Sequence, residues 1–214
     1  MEAGYNVMNK KERERIIREI TIGGKEKAEI LRQCYKTVSG WELELPAVNP
    51  TVLHFGLNRF KEIGEIEFDI VNDAGNCYCG KFIFMFSGQR CPKHYHRFKK
   101  ETFFVVKGKV RMNIDNMKLV LNRGSTTTVE RTKKHEFIAL EDSLILESSN
   151  PDMLFDSIFS DSEINNVIFS SFKENQKKLD EQRINKEISR TGFGSSVVVL
   201  SRLLHSNGLP PDGE

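Results

Sequence analysis

Two features predict an all-β jelly-roll barrel with helical extensions at its N-terminal and C-terminal ends. Between about residues 61 and 160, short β-forming segments are separated by turn residues, the pattern of a barrel built from many short strands. On either side of that stretch the apolar residues adopt helical spacing. A chain of 214 residues suffices for one domain with a substantial core and attachments. The expected organisation is residues 1–60 as helical extension and connection, 61–160 as a barrel with a metal site, and 161–214 as helical extension and tail.

In the N-terminal extension, Asn9 can cap the charged, Ile-bearing run that follows, and Gly23-Gly24 breaks it before a second amphipathic run. Such helices are expected to pack outside the barrel or at a partner interface. Pro46 and Asn49-Pro50 mark residues 41–60 as a connection into the sheet. Thr102 to Val106 are β-formers, and Gly108 closes that strand. Val110 to Leu121 alternates about Asp115-Asn116, where a hairpin turn is expected. His135 leads into a further strand through Phe137. Beyond the barrel, Ile164, Val167, Ile168, Phe172 and Leu179 share one helical face. Gly192 to Ser196 interrupts it, the apolar Val197 to Leu204 is expected to pack on the barrel or an oligomer interface, and the end reads as a loose tail. The Gly192-Phe-Gly194 element lacks the other parts of a phosphate-binding loop.

Composition narrows the function classes. Charged residues make up 29% of the chain but the net charge is only +2, so no polyanion or nucleic-acid partner is expected. Runs such as Lys10-Lys11 and Lys177-Lys178 alternate with Glu and read as solvated helix faces. No apolar stretch reaches the roughly 20 residues of a membrane span, and the first residues do not resemble a signal peptide. Cys34, Cys77, Cys79 and Cys91 form no zinc-knuckle spacing and read as reduced thiols of a cytoplasmic protein.

The chemistry is carried by His94, His96, Glu101 and His135. Side chains at i and i+2 of a strand share a face, so His94 and His96 aim into one interior. Glu101 has the opposite parity; the polar stretch from Arg97 to Lys100 can bend the chain and return it to the same cavity. His135 opens a strand that can reach that interior too. Imidazoles with one carboxylate suit one divalent ion: manganese, zinc, iron, nickel or cobalt.

At these residues the chain resembles the cupin superfamily. Gly88, His94, His96, Glu101 and Gly108 reproduce the spacing of its first motif, and Gly124 to His135 that of its second. The usual Pro and Gly of the second motif are Glu130 and Thr132 here, and the usual Asn after the His is Ala139, so the turn before His135 is expected to be built differently. Over about residues 62–158, Lys81, Gln89, Pro92 and His-x-His, then Lys-Lys-Glu101 and Glu147-Ser148, look like the D-lyxose isomerase family of sugar ketol-isomerases. The shorter first inter-motif hairpin and the C-terminal third depart from that family.

The resemblance implies interconversion of an aldose and a ketose through an enediolate, stabilised by the metal. It nominates Glu147 as the base that moves the proton between carbons. Lys81 could donate to a substrate hydroxyl or oxyanion, and Gln89 is a further substrate-binding candidate. A small-molecule sugar and a second copy of the chain, as a homodimer, are the expected partners. Two other classes stay open: a metal-dependent dioxygenase, whose apolar cavity Phe82, Phe84 and Phe86 would line, and a non-catalytic metabolite-binding cupin. Lys81 and Glu147 discriminate, because both facing the metal favours the isomerase. Deleting residues 190–214 is expected to leave metal content unchanged while weakening assembly; metal analysis beside sedimentation checks both.

Overall fold

The N-terminal segment forms the helices its spacing predicts, α1 (Lys10–Ile20) and α2 (Gly24–Ser39), in a computed structural model that describes residues 10–170. The break between them falls at Gly23-Gly24, as expected. Residues 162–170 are helical, with Ile164 and Ile168 buried on one face. The Asn9 cap, Phe172, Leu179, and the segments from Gly192 onward lie outside the described residues.

Between the helices run β1 (Thr51–Leu53), β2 (Glu65–Asp73), β3 (Tyr78–Met85), β4 (Arg90–His96), β5 (Glu101–Lys107), β6 (Lys109–Ile114), β7 (Met117–Asn122), β8 (Thr126–Val129), β9 (His135–Ala139), β10 (Ser143–Ser149) and β11 (Ser157–Phe159). They form a six-stranded sheet, β1-β2-β3-β10-β5-β8, facing a five-stranded sheet, β11-β4-β9-β6-β7. All the named pairings are antiparallel, and the fold is a jelly roll. Strand β1 lies inside the stretch read as a connection. It follows Pro50 directly and is too short for an alternating pattern to reveal it.

The six-stranded sheet carries buried apolar residues on both faces. Its inner face contributes Ile83, Met85, Phe103, Val105 and Ile145, which meet Val110, Met112, Phe137 and Ala139 of the other sheet. Its outer face carries Ile66, Phe68, Phe84 and Leu144, covered by Cys34 and Val38 of α2. The edge of Phe68 meets Tyr35, and Trp41 packs on Phe84. Phe82, Phe84 and Phe86 therefore serve the layer beneath α2 and are not the residues that line the interior, as an oxygenase reading had them. Ile16 and Ile20 of α1 join the inner cluster with Phe55, Phe159, Ile164 and Ile168. No helix among the described residues is long and apolar enough to cross a membrane, and no described cysteine forms a disulfide.

Two turns fix the strands that carry the site. Between β5 and β6, Gly108 has φ +85, and a Cβ there would sit 2.3 Å from the Asp142 carbonyl oxygen. Only glycine satisfies both demands. Before β9, Thr132 has φ +65, although a β-branched residue is strained in that region. Its N–H donates to the His96 carbonyl at 2.7 Å, tying the turn to β4. The turn thus keeps a left-handed conformation with threonine where glycine is usual. Relief of this strain, less the extra entropy glycine loses on folding, predicts that Thr132→Gly stabilises the fold by about 0.5–1 kcal/mol. An unchanged or lower midpoint in urea denaturation would show that the turn is not strained.

Candidate metal centre

His94 and His96 share the inner face of β4, as strand periodicity requires. The next segment, residues 97–100, leaves the strand. The carboxylate of Asp156 accepts the backbone N–H of Arg97 at 2.9 Å, Phe98 at 3.0 Å and Lys99 at 2.9 Å. This buried acceptor holds the bend that restores the parity of Glu101, so that β5 begins with its carboxylate facing inward. His135 enters from β9, where it lies opposite His94 in the antiparallel register.

The four side chains converge: one ligand atom from each of His94, His96, Glu101 and His135 lies within 4.8 Å of the others. His96 Nε2 is 3.2 Å from Glu101 Oε1, and His135 Nε2 is 3.0 Å from Glu101 Oε2. Despite that proximity, His96 Nε2, His135 Nε2 and Glu101 Oε2 make no hydrogen bond of adequate geometry. Buried polar atoms gathered without partners are costly unless a cation binds them. His94 Nδ1 lies 2.8 Å from the Pro92 carbonyl and His135 Nδ1 lies 3.1 Å from the Lys133 carbonyl. A carbonyl only accepts, so both Nδ1 atoms carry the proton and both Nε2 lone pairs are free for a metal. Burial, then His135 and His96 beside it, holds His94 well below its ordinary pKa and so uncharged. The residues present fit a divalent ion.

A cavity of about 210 Å³ opens beside this cluster, and both Lys81 and Glu147 line it. Each is nearly inaccessible to solvent. Lys81 Nζ donates to Glu67 at 2.8 Å and to Asp152 at 3.1 Å. Glu147 Oε1 is 2.7 Å from Lys99 Nζ and accepts the Ser149 hydroxyl at 2.8 Å. Gln89 does not join them. Its amide oxygen accepts the Phe86 N–H and its Nε2 donates to the Phe60 carbonyl, so it braces local backbone.

Lys99, Asp152, Glu65 and Glu67 also line the cavity, and sequence reasoning missed all of them. Lys99 reads only as part of a polar bend, yet its ammonium is buried between Glu147, Glu101 at 3.1 Å and Asp152 at 3.4 Å. Burial alone would lower its pKa, but Glu147 and Asp152 hold it well above the ordinary lysine value. Burial alone would raise Glu101, but Lys99 and the imidazoles hold that carboxyl well below the usual range. The parity of Glu65, Glu67 and Asp69 on β2 was the available signal, masked by the expectation that charged residues face water.

Burial, then Glu67 beside it, pushes the Glu65 carboxyl up from 4.5 to about 8. The folded chain therefore binds this proton more tightly than the unfolded chain does. Stability from this group is present at low pH and is lost as pH rises between those two values. Glu65→Gln removes the dependence, so its urea midpoint should gain on that of the native chain from about pH 5 to about pH 8. A constant difference between the two across this window would mean that Glu65 is ionised when buried.

Residues 82–147 match the family described as Cupin domain. An L-ribose isomerase variant from Acinetobacter sp. DL28, in complex with L-ribose, has a similar fold with a TM-score of 0.52 and 13% identity, over 62% of this chain and 83% of that one. The cupin domain of Schizosaccharomyces pombe Cnp3 gives a TM-score of 0.41 at 13% identity, over 52% of this chain and 74% of that one. KdgF from Halomonas sp. gives 0.39 at 19% identity, over 42% and 82%. No curated protein matches the chain in sequence. Strand order, motif residues and family match agree that this chain carries a cupin fold, the family match covering residues 82–147.

Proposed function

We propose that this cupin is a metal-dependent isomerase that interconverts an aldose and its ketose. The observation that carries the reading is that Glu147 and Lys81 line the same cavity as the imidazole and carboxylate cluster. A non-catalytic binding module has no need of a carboxylate held in this way. An oxygenase has no use for the buried ammonium and carboxylate groups, Lys81, Lys99, Glu67 and Glu147, that share this lining with the apolar residues.

His94, His96, Glu101 and His135 would hold the ion, which when bound supplies positive charge to polarise the substrate carbonyl. Glu147 moves the proton. Its Oε1 is engaged by Lys99 and Ser149, while no hydrogen bond among the described residues falls on Oε2. The geometry favours Oε2 as the atom that takes the C2 proton and returns it to C1. Fixing one oxygen of a carboxylate while leaving the other free orients the base without consuming its lone pairs. Lys81 and Lys99 each have donors directed among the lining carboxylates, and both can exchange one such contact for a substrate hydroxyl or a developing oxyanion. The cavity lies at the small end of ligand sites, which suits a single monosaccharide better than a polymer.

The test is NMR of the full chain, loaded with manganese, against free pentoses and hexoses, including L-ribose because the similar fold was solved with it. Aldose–ketose exchange is expected for at least one sugar. His94→Ala should abolish it together with metal binding. Glu147→Gln should keep the metal and lower kcat by about 10²- to 10⁴-fold. Full metal loading with no exchange on any sugar would reject the isomerase reading.

A further inference from the structure

One carboxyl of the cavity takes no part in the chemistry above. Glu65 extends from the inner face of β2 and is 4% exposed. It lines the cavity with the metal cluster, and among the described residues its Oε2 has no hydrogen-bond partner. The neighbouring cation, Lys81, directs its ammonium to Glu67 and Asp152 instead. A buried carboxyl oxygen without a partner is costly unless the site is completed by something absent from the protein itself.

Strand register locates Glu65 relative to the metal cluster. On β4 the ligands His94 and His96 occupy one end, and Cys91 lies further along the strand, opposite Phe137 rather than His135. The Cys91 thiol interacts with the Glu65 carboxyl. Glu65 is also one inward position beyond Glu67, the residue that Lys81 holds. An extended ligand with its carbonyl end at the imidazoles would carry its remaining hydroxyls along the cavity toward Glu65.

We propose that Glu65 is a ligand-binding residue, which hydrogen-bonds a hydroxyl of an open-chain polyhydroxylated ligand remote from the metal end and so selects for chain length. The inference rests on the sugar reading of the site. The raised pKa of this carboxyl agrees with it, since a protonated acid can donate to a hydroxyl as well as accept from one.

Calorimetry with the manganese-loaded full chain provides the test, using xylitol, ribitol and D-arabinitol as five-carbon probes and glycerol as the short one. Glu65→Leu should weaken binding of the preferred pentitol by about tenfold or more, with manganese content and glycerol binding unchanged. Glu65→Gln, which retains a donor and the shape, should stay within about threefold of the native chain. Equal pentitol affinity in the native chain and Glu65→Leu would overturn the proposal. So would a parallel loss of glycerol binding, or failure of the native chain to bind any pentitol. The sugar panel separates the two readings. Glu65-dependent pentitol binding without isomerisation rejects the isomerase and keeps this site; isomerisation with kcat/KM unchanged in Glu65→Leu does the reverse.

Discussion

The ammonium of Lys99, buried between Glu101, Glu147 and Asp152, sets the terms on which the rest of the interior can exist. Carboxylates removed from water are tolerated when paired, and removing one partner leaves an uncompensated charge behind. Lys99 reaches its position because Asp156 accepts the backbone N–H groups of the bend that carries it. The same bend delivers Glu101 to the imidazoles. One buried acceptor therefore positions both a metal-ligand candidate and the cation that stabilises it. Lys81 repeats the arrangement one layer away, between Glu67 and Asp152. Even so, the lining carboxyls outnumber the two ammoniums. A divalent cation at the imidazoles would supply positive charge that the protein's own residues leave short.

Such an interior is possible because the usual division of a barrel sheet is reversed along β2. Ile66 and Phe68 would ordinarily face the barrel core; here they point outward, beneath Cys34 and Val38 of α2. The helix gives the apolar residues of that strand a second core, which frees the opposite face to carry Glu65 and Glu67 into the cavity. In β3 the same logic sends Phe84 outward and Lys81 inward. The extension preceding the barrel is thus part of what makes a charged interior affordable, since without it this sheet face would expose its rings to water.

This reversal also explains what the sequence could and could not convey. The jelly roll was legible, because short strands, turn residues and paired helical breaks are local signals. The convergence of the imidazoles and Glu101 was legible too: His94 and His96 share parity, and the polar bend before Glu101 is visible in the residues themselves. Glu65, Glu67 and Lys99 were not, because alternation states which residues share a face without stating which face is inside. That choice depends on α2, a contact between segments far apart in the chain. Asp152 and Asp156 were hidden for a related reason, as their partners Lys81, Lys99 and the 97–99 backbone are brought near only by the paired sheets. Gln89 shows the converse, a polar residue at a motif-like place whose amide is engaged by local backbone.

The two ends of the cavity are joined by these same contacts. Lys99 touches Glu101, which belongs to the imidazole cluster, and Glu147, which faces the ligand space. A cation bound at the imidazoles would compete with Lys99 for Glu101 and so strengthen the claim of Lys99 on Glu147. The direction of that effect follows from charge alone: the ammonium shifts toward whichever carboxylate the metal does not satisfy. Under the proposed isomerase reading, Glu147 would be best oriented with the metal bound, which would couple binding of the ion to readiness of the carboxylate beside it. Glu65 stands outside this exchange, paired with neither ammonium. Its environment makes it a neutral hydrogen-bonding group where Glu147 is a charge-paired one, so two glutamates of a single cavity acquire different chemistry from their neighbours.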